Sequence, residues 1–295
     1  MVICTHGLTK YYGKIRGIEG LDLEVRAGEI FGFLGSNGAG KTTTIRLLLG
    51  LLRPSHGQAE IFGLDVERRS PQIRRQIGYI PGDVSFYEGL SGEEMLNLLG
   101  RLHPSPSVRR RRELAERLEL DMGRKIKTYS RGMKQKLAIV QALMNDPRLL
   151  ILDEPTLGLD PLMQREFYKI LAEERAGGKT VFLSSHVLPE VERVCDRLGI
   201  VRDGRLVTVE DVAQLKRKKV RHMELIFKGE VSAEALDMEG VEILHREGNR
   251  MLLAVHGNVE GLLRRLAELP VEDMVFPEAT LEDTFMKFYS QEARR

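Results

Sequence analysis

The sequence lacks the features that mark membrane, secreted and disulfide-bonded proteins. Its apolar runs all fall short of the roughly 18 residues that a membrane-spanning helix needs. The N-terminal residues lack the charged start and long apolar stretch of a signal peptide. Cys4 and Cys195 are the only cysteines among 295 residues, and two such distant thiols predict a protein kept in a reducing compartment. These absences predict a soluble intracellular protein.

The chain also lacks a large excess of either charge. It has 45 Lys and Arg residues and 43 Asp and Glu residues, for a formal net charge of +2. So small an excess predicts no nucleic-acid partner. Two basic runs, at residues 109–112 and 216–219, are therefore expected to be a solvated helix face and a linker. Hydrophobic residues make up 42% of the chain, enough for a sizeable core.

Apolar runs and helical patterns alternate through most of residues 1–220, which predicts an α/β fold. Residues 30–34 form a short apolar run typical of a buried parallel strand, and residues 41–52 follow with helical spacing. Residues 83–146 are predicted to be helical throughout, with a capping-box start at Ser91. The other predicted elements are a helix at 108–120 within this insert, strands at 149–152, 181–183 and 198–201, and a helix from Pro161. The sequence thus predicts an α/β core interrupted by a helical insert.

The last quarter of the chain differs in charge from the rest. Residues 221–295 hold 9 Lys and Arg against 15 Asp and Glu, whereas residues 1–220 hold 36 against 28. This change predicts two domains with a limit after residue 220. The second domain is predicted to follow the order strand, helix, strand, strand, helix, strand of a small ferredoxin-like α+β fold. Its predicted elements are strands at 223–227, 241–245, 251–256 and 274–276, helices at 233–238 and 259–269, and a final helix at 281–289.

A glycine-rich phosphate loop at residues 35–42 is the strongest chemical signal in the sequence. It fits the pattern G-x-x-x-x-G-K-[ST] and lies between a predicted strand and a predicted helix. Glycines let successive backbone N–H groups turn inward around phosphate oxygens, and the helix N-terminus adds positive potential. The alternative is a glycine-rich turn that binds no ligand. The residues expected to bind phosphate are Gly35, Ser36, Asn37, Gly38, Ala39, Gly40, Lys41 and Thr42.

Three side chains at the end of this loop have separate expected roles. Lys41 is expected to reach the β- and γ-phosphates of ATP. Thr42 is expected to ligate Mg²⁺ through its hydroxyl, and Thr43 to contact the α-phosphate. ATP and Mg²⁺ are therefore the predicted cofactors.

Two adjacent carboxylates, Asp153 and Glu154, follow the predicted strand at 149–152. Asp153 is expected to hold Mg²⁺, directly or through water. Glu154, one residue further, is expected to polarise a water molecule against the γ-phosphate. The alternative is that the pair caps the next helix. The phosphate loop upstream favours the catalytic interpretation.

Three further segments carry a family resemblance: Tyr-Ser-Arg-Gly-Met-Lys-Gln-Lys-Leu at 129–137, Asp-Glu-Pro-Thr-Leu-Gly-Leu-Asp-Pro at 153–161, and Leu-Ser-Ser-His at 183–186. With the phosphate loop, they resemble the ATP-binding cassette (ABC) ATPases over about residues 3–220. The resemblance implies a P-loop NTPase fold, with a RecA-like α/β core and a helical subdomain at about 83–146. It also implies ATP hydrolysis, with Glu154, His186 and Lys41 as the catalytic residues.

Residues 129–137, called the signature segment below, resemble the family's L-S-G-G-Q sequence. In that family two cassettes dimerise head to tail, and each signature segment meets the ATP bound by the other cassette. The resemblance implies that Ser130 and Gly132 contact the γ-phosphate across this interface and that Asp160 couples the two sites. Arg131 departs from the family pattern, which indicates altered dimer contacts. Taken alone, the segment also fits a helix cap followed by an amphipathic core helix.

The resemblance implies binding roles for His186 and Tyr12, and it shows that Gly82 lacks the side chain that the family normally has at that position. His186 matches the histidine that bonds the γ-phosphate, and Tyr12 matches the aromatic residue that stacks on adenine, with Tyr11 as its competitor. The family normally has a glutamine at the position of Gly82, where it binds Mg²⁺ and water. Our hypothesis is that Asp83 or a backbone carbonyl replaces it.

Residues 276–285 resemble the P-[ST]-L-E-D-x-F ending of cassettes from type-two ABC exporters, although Ala279 stands at the proline position. The resemblance implies a homodimer or a pairing with a second cassette, and a separate transmembrane permease as partner. It places the chain at the cytoplasmic face of the membrane. The alternative is a soluble ABC-type mechanochemical or regulatory ATPase. A two-cassette factor is disfavoured by the single phosphate loop, and a chromosome-maintenance ATPase by the short insert.

Overall fold

The computed structural model describes residues 1–102, 107–217, 221–256 and 259–277. Residues Met1–Val212 form one compact unit, and the described residues from Ala213 onward form a second. The predicted domain limit after residue 220 lies at a gap in the described residues and stays a prediction. Within the described part of the chain, no helix combines the length and apolarity needed to cross a membrane.

The first unit contains ten strands and seven α-helices among its described residues. The strands are β1 (Ile3–Tyr12), β2 (Ile15–Val25), β3 (Ile30–Leu34), β4 (His56–Ile61), β5 (Leu64–Asp65), β6 (Ile77–Ile80), β7 (Leu149–Asp153), β8 (Thr180–Ser185), β9 (Arg197–Arg202) and β10 (Arg205–Asp211). The helices are α1 (Lys41–Leu48), α2 (Val66–Arg74), α3 (Gly92–Gly100), α4 (Val108–Arg117), α5 (Arg131–Leu143), α6 (Pro161–Ala176) and α7 (Leu188–Val194), with a 3-10 turn at Ile126–Thr128.

A six-stranded sheet in the order β10-β9-β3-β8-β7-β6 forms the centre of this unit. Its strands are parallel except for the antiparallel pair of β9 and β10. Every residue of β3, β7 and β8 is buried, as the apolar runs at 30–34 and 149–152 predict. Phe182 stacks on Phe31 and packs against Phe33, with ring centroids 5.9 and 5.4 Å apart. This packing joins β3 to β8, and β7 pairs in parallel with β8, so the carboxyl ends of all three strands reach the same edge of the sheet.

A second sheet, antiparallel and in the order β2-β1-β4-β5, belongs to the same unit. Sequence patterning missed β1, which pairs with both β2 and β4. The register shifts along β1 interrupt the alternation of buried and exposed residues that would have identified it. Strand β1 ends at Tyr12, which it delivers to the site described below.

Helix α1 ends at Leu48, so the predicted helix at 41–52 is too long. The reason is Gly50, which has a left-handed φ of 62°. The N–H groups of Leu51 and Leu52 both donate to the Arg46 carbonyl, at 2.8 and 3.2 Å, and this satisfies the end of the helix. Leu52 still packs against the core, which explains why its spacing looked helical.

The helical insert is confirmed in part. Residues 83–90, all described, contain no helix, so the prediction of helix throughout 83–146 is wrong there. The capping box at Ser91 is confirmed: its Oγ accepts from the Glu94 N–H at 3.1 Å, and its own N–H donates to Glu94 Oε2 at 2.6 Å. Helix α4 ends at Arg117 rather than at residue 120, because Glu119 turns into a left-handed conformation with φ of 50°.

The basic run at 109–112 is not simply the solvated face we expected. Arg110 pairs with the buried carboxylate of Glu174 on α6. Arg111 is buried and donates to Asn97 Oδ1 at 2.7 Å. These two arginines therefore hold α4 in place within the first unit. The second basic run begins inside helix α8 (Val212–Arg217) rather than in a linker, and its residues 218–219 lie outside the described part of the chain.

The second unit contains β11 (Arg221–Phe227), β12 (Val241–Glu247), β13 (Arg250–Val255), α9 (Val259–Leu266) and β14 (Val271–Val275). The sheet is antiparallel throughout, in the order β12-β13-β11-β14. The helix predicted at 233–238 is a 3-10 turn at Ala233–Leu236. The predicted final helix at 281–289 and the exporter-like ending from residue 278 onward lie outside the described residues.

Candidate functional site

A cleft of about 770 Å³ lies where the carboxyl ends of β3, β7 and β8 meet. In a parallel α/β sheet this edge is where ligands bind. The cleft brings most of the predicted site residues together. Its lining includes Tyr12, Asn37, Gly38, Gly40, Lys41, Thr42, Thr43, Gly82, Asp83, Asp153, Glu154 and His186.

The phosphate loop joins β3 to α1 and depends on glycine at two positions. Gly38 and Gly40 have left-handed φ values of 81° and 107°. A Cβ at Gly40 would also lie 2.6 Å from Ile18 Cγ2 and 2.8 Å from the Gly17 carbonyl. Gly40 is the N-cap of α1 and provides no side-chain cap, so the first N–H groups of the helix remain available to an anion.

Lys41 is buried beneath this loop. Its Nζ donates to the carbonyls of Gly35 and Ser36, at 2.7 and 3.1 Å, and lies 3.2 Å from Glu154 Oε1. Gly35 and Ser36 therefore hold the lysine rather than line the cleft, and Ala39 is buried. A phosphate that approaches Lys41 competes with Glu154 for its positive charge.

Asp153 has both carboxylate oxygens occupied. Oδ2 accepts from the Thr42 hydroxyl at 2.8 Å, and Oδ1 accepts from the Ser184 hydroxyl at 2.6 Å. The carboxylate is only 1% exposed, so these bonds fix its orientation. Sequence reasoning assigned no role to Ser184. Its register position on β8, directly beside Asp153 on β7, is the signal that a strand alignment would have given.

Glu154 leaves the strand in a left-handed conformation with φ of 50°. Its carboxylate contacts two of the predicted catalytic groups, with Oε1 toward Lys41 and Oε2 2.7 Å from His186 Nδ1. An ionised carboxylate only accepts hydrogen bonds, so the tautomer of His186 that suits this contact is the one with its proton on Nδ1. The N-cap of the next helix, α6, is Asp160, so the alternative role of the acid pair as a helix cap is wrong.

Tyr12 and Tyr11 are adjacent but have different environments. Tyr12 lines the cleft, and its hydroxyl lies 3.5 Å from Thr43 Oγ1. Tyr11 faces Glu19, and the hydrogen bond to that carboxylate raises the pKa of the Tyr11 hydroxyl. Of these two neighbouring tyrosines, Tyr12 is therefore the one that lines the cleft.

Gly82 and Asp83 lie on the same wall of the cleft as Tyr79. A Cβ at Gly82 would be 3.1 Å from Asp153 Oδ2, so any side chain at this position would approach that carboxylate. Burial, followed by the charge of Asp153, raises the pKa of the Tyr79 phenol. Sequence reasoning missed Tyr79, since a tyrosine in a predicted strand carries no distinguishing signal.

The signature segment does not line the cleft. Ser130 is the N-cap of α5, and its Oγ accepts from the Met133 N–H at 3.2 Å. Gly132 approaches the backbone of Gly158 so closely that a Cβ would lie 2.7 Å from the Gly158 carbonyl oxygen. The alternative role of Ser130 as a helix cap is thus present in the structure, whereas a phosphate contact by Ser130 stays a prediction.

Asp160 also lies outside the cleft lining. Its Oδ1 accepts from the N–H groups of Leu162 and Met163, both at 3.0 Å. These two bonds lower the pKa of the Asp160 carboxyl, and the bond from Met163 has the larger effect on it. Ser130, Gly132 and Asp160 thus form a second group, apart from the cleft residues, at the start of helices α5 and α6.

Comparison with known proteins identifies similar sequences over almost the whole chain. The family model described as ABC transporter matches residues 18–157. The bacitracin transport ATP-binding protein of Bacillus licheniformis is 36% identical over 304 residues, covering 97% of this chain and 96% of the relative. A daunorubicin resistance ATP-binding protein of Streptomyces coeruleorubidus is 35% identical over 309 residues, covering 99% and 97%.

A solved structure described as the ATP-binding subunit of an ABC transporter has the same fold. It matches with a TM-score of 0.67 and 32% identity, covering 74% of this chain and 92% of that chain. The predicted α/β P-loop NTPase fold is therefore confirmed.

Proposed function

We propose that this chain, which belongs to the ABC transporter family of ATP-binding proteins, hydrolyses ATP to drive export through a separate membrane permease. The relatives above, named for bacitracin transport and daunorubicin resistance, support the export role. The observation that carries the enzymatic part is the contact of one carboxylate, Glu154, with both Lys41 and His186 at the edge of the phosphate loop.

These contacts suggest how the residues act on ATP. The N–H groups of the phosphate loop and Lys41 hold the phosphates, and the phosphate charge displaces Glu154 from Lys41. The released Glu154 carboxylate then accepts a proton from the attacking water. His186, anchored by Glu154, presents its other ring nitrogen toward the γ-phosphate. Tyr12, which lines the cleft beside Thr43, stacks on adenine.

The residues beside the cleft fit Mg²⁺. Thr42 and Asp153 offer hard oxygen ligands that already lie 2.8 Å apart, and Ser184 orients the carboxylate from behind. The described residues contain no group of three His, Cys, Asp or Glu side chains arranged around a metal, so the remaining ligands would be phosphate oxygens and water. When bound, Mg²⁺ supplies positive charge to the β- and γ-phosphate oxygens. Asp83 is the candidate for the role that the missing glutamine has elsewhere.

The separation of the second group of residues supports a dimer. Ser130, Gly132 and Asp160 begin two helices whose N-termini favour an anion, yet none of them lines the cleft of their own chain. A head-to-tail pair of chains would bring them to the ATP of the partner cleft. The partner is a second copy of this chain or another cassette.

A permease contact is supported by a groove of mixed polarity between the helical insert and residues 71–79. The groove has a volume of about 510 Å³, and its lining includes Leu99 and Leu102 of the insert together with Arg74 and Arg75. Leu102 is 80% exposed, and Tyr87, on the segment that follows Gly82, is 70% exposed. A permease loop seated here would place the chain at the cytoplasmic face of the membrane. The strand order of the second unit supports a ferredoxin-like accessory domain.

The test is a pull-down of the full chain from detergent-solubilised membranes, with the co-purifying proteins identified and counted. We expect a multi-span permease at one cassette per permease half. The variant Leu102→Glu should release the permease while ATPase activity persists, and Leu51→Glu, at another exposed leucine, should not. If only soluble proteins co-purify with an active ATPase, the chain is instead a soluble ABC-type ATPase.

A further inference from the structure

Glu190, in the first turn of α7, accepts hydrogen bonds from two residues, Thr156 after β7 and Ser185 at the end of β8. Its Oε1 accepts from the Thr156 hydroxyl at 2.9 Å, and its Oε2 accepts from the Ser185 hydroxyl at 2.9 Å. Both hydroxyl-bearing residues are buried, Ser185 to 1% exposure. Each oxygen of this one carboxylate therefore holds a different loop.

These two loops carry the pair of groups nearest to the chemistry. Thr156 follows Glu154 by two residues, and Ser185 directly precedes His186. Glu154 and His186 meet at 2.7 Å across the gap between the ends of β7 and β8. Glu190 lies behind this contact and does not line the cleft. It can act on the reaction only through the two loops.

The loop after β7 needs such support because its backbone is strained. A left-handed φ at a non-glycine residue, as at Glu154, is strained and persists only where the surrounding structure enforces it. The Glu154 N–H donates to the Ser184 carbonyl at 3.2 Å, and buried Gln135 donates to the Pro155 carbonyl at 2.7 Å. Thr156 is the next point of attachment, and Glu190 provides it.

The loop after β8 is attached in the same way. Ser185 Oγ donates to Glu190 and also accepts from the Val187 N–H at 2.9 Å, so one hydroxyl shapes the turn that presents His186. Tyr168 packs beside this cluster, and its pKa is raised by burial first and then by the negative charge of Glu190. Glu190 is thus the shared acceptor of two buried hydroxyl groups in a polar cluster beside Tyr168.

We propose that Glu190 is a positioning residue for ATP hydrolysis, which holds the loops of Glu154 and His186 at their contact distance by accepting from Thr156 and Ser185. This role rests on the proposed ATPase function. Loss of the carboxylate frees both loops at once, so the Glu154–His186 geometry loosens while the phosphate loop, on β3 and α1, keeps its structure. The defect should therefore appear in the chemical step and not in ATP binding.

The first test compares kcat and KM for ATP in the full chain. Glu190→Ala should lower kcat by about 10- to 100-fold, the loss expected for misplacement by about 1 Å, with KM and ATP affinity within about two-fold. Glu190→Gln should recover much of this rate, since its amide can bond both hydroxyls. The matched control is Glu67→Ala, because Glu67 is an exposed carboxylate in the first turn of another helix, α2.

A second test needs no activity. Hydrogen exchange of peptides covering residues 153–160 and 184–190 should speed up by roughly 10-fold or more in Glu190→Ala. Peptides from β2 should exchange as in the wild type. If the wild-type chain does not hydrolyse ATP but Glu190→Ala still shows this exchange pattern, only the proposed ATPase function is refuted. An unchanged kcat, equal loss of kcat and affinity, or uniform exchange in an active protein would overturn the positioning role.

Discussion

The polar side chains of the cleft and of the signature segment differ in their hydrogen-bond partners. In the cleft, Thr42 and Glu154 are bonded to side chains from other strands and loops of the same chain. In the signature segment, Ser130 bonds only the N–H of its own helix. The cleft is therefore a formed site, whereas the signature segment is a surface whose capping groups have no other partner within the described contacts. Ser130 is therefore the group at which we expect a second chain to act.

The largest expected effect is at the cleft. Glu154→Gln removes the proton acceptor but keeps the size of the side chain, so turnover should fall by on the order of 10²- to 10⁴-fold while ATP still binds. The measurements are steady-state ATPase rates and nucleotide binding on the full chain. ATP should also trap the closed dimer, visible as a shift in mass by light scattering.

The control for this variant is Glu67→Gln, an equal change at an exposed carboxylate. Near-normal turnover in Glu154→Gln would refute the role of Glu154. A variant that no longer binds ATP would instead show that the carboxylate serves the structure of the cleft.

A smaller loss of ATPase activity is expected from a change in the signature segment. The variant distinguishes a helix-capping role of Ser130 from a contact with phosphate. Ser130→Asp keeps an N-cap acceptor, so thermal stability should stay within a few degrees of the wild type. The new negative charge should repel the γ-phosphate of the partner chain and lower ATPase activity by on the order of 10²-fold. Activity and Tm are measured together.

Ser107→Asp provides the matched control, because Ser107 caps α4 in the same way. It should change neither quantity. If Ser130→Asp also retains full activity, Ser130 is a cap and nothing more, and the dimer proposal loses its main residue.

The smallest effect is expected at the wall of the cleft beside Gly82. Asp83→Ala should raise the Mg²⁺ concentration for half-maximal ATPase activity by roughly 10-fold, as for loss of an outer metal contact. Glu116→Ala, which removes an exposed carboxylate from α4, should leave the Mg²⁺ curve in place. Identical rates and Mg²⁺ curves in wild type and Asp83→Ala would show that Asp83 does not replace the glutamine.

Sequence alone predicted the parts of the cleft that lie on local patterns. The spacing of the phosphate loop identifies it because the structure requires both glycines of the pattern: a Cβ at Gly35 would lie 2.5 Å from the Val201 carbonyl oxygen, and Gly40 has a left-handed φ. The position of Asp153 and Glu154 directly after a fully apolar predicted strand identifies them as candidate site residues. Each of these signals is contained within about ten residues and needs no knowledge of the tertiary fold.

The residues that sequence missed act across strands or between loops. Ser184 bonds Asp153 only because β7 and β8 are neighbours, and Glu190 joins loops from both strands. Pairing of parallel strands depends on the whole fold, so no local pattern reports it. The end of α1 before Gly50 was missed for a similar reason. Leu52 packs against the core although it lies beyond the helix, so its position in the sequence still fits a helical pattern.

The left-handed backbone at Glu154 has a consequence for the stability of the protein. Asparagine or glycine would occupy this conformation with less strain than glutamate. The turn nevertheless directs Glu154 toward Lys41 and His186, in the cleft that its neighbour Asp153 also lines. Residue 154 is thus a place where the most stable residue and the most active residue differ, and the chain carries the less stable one.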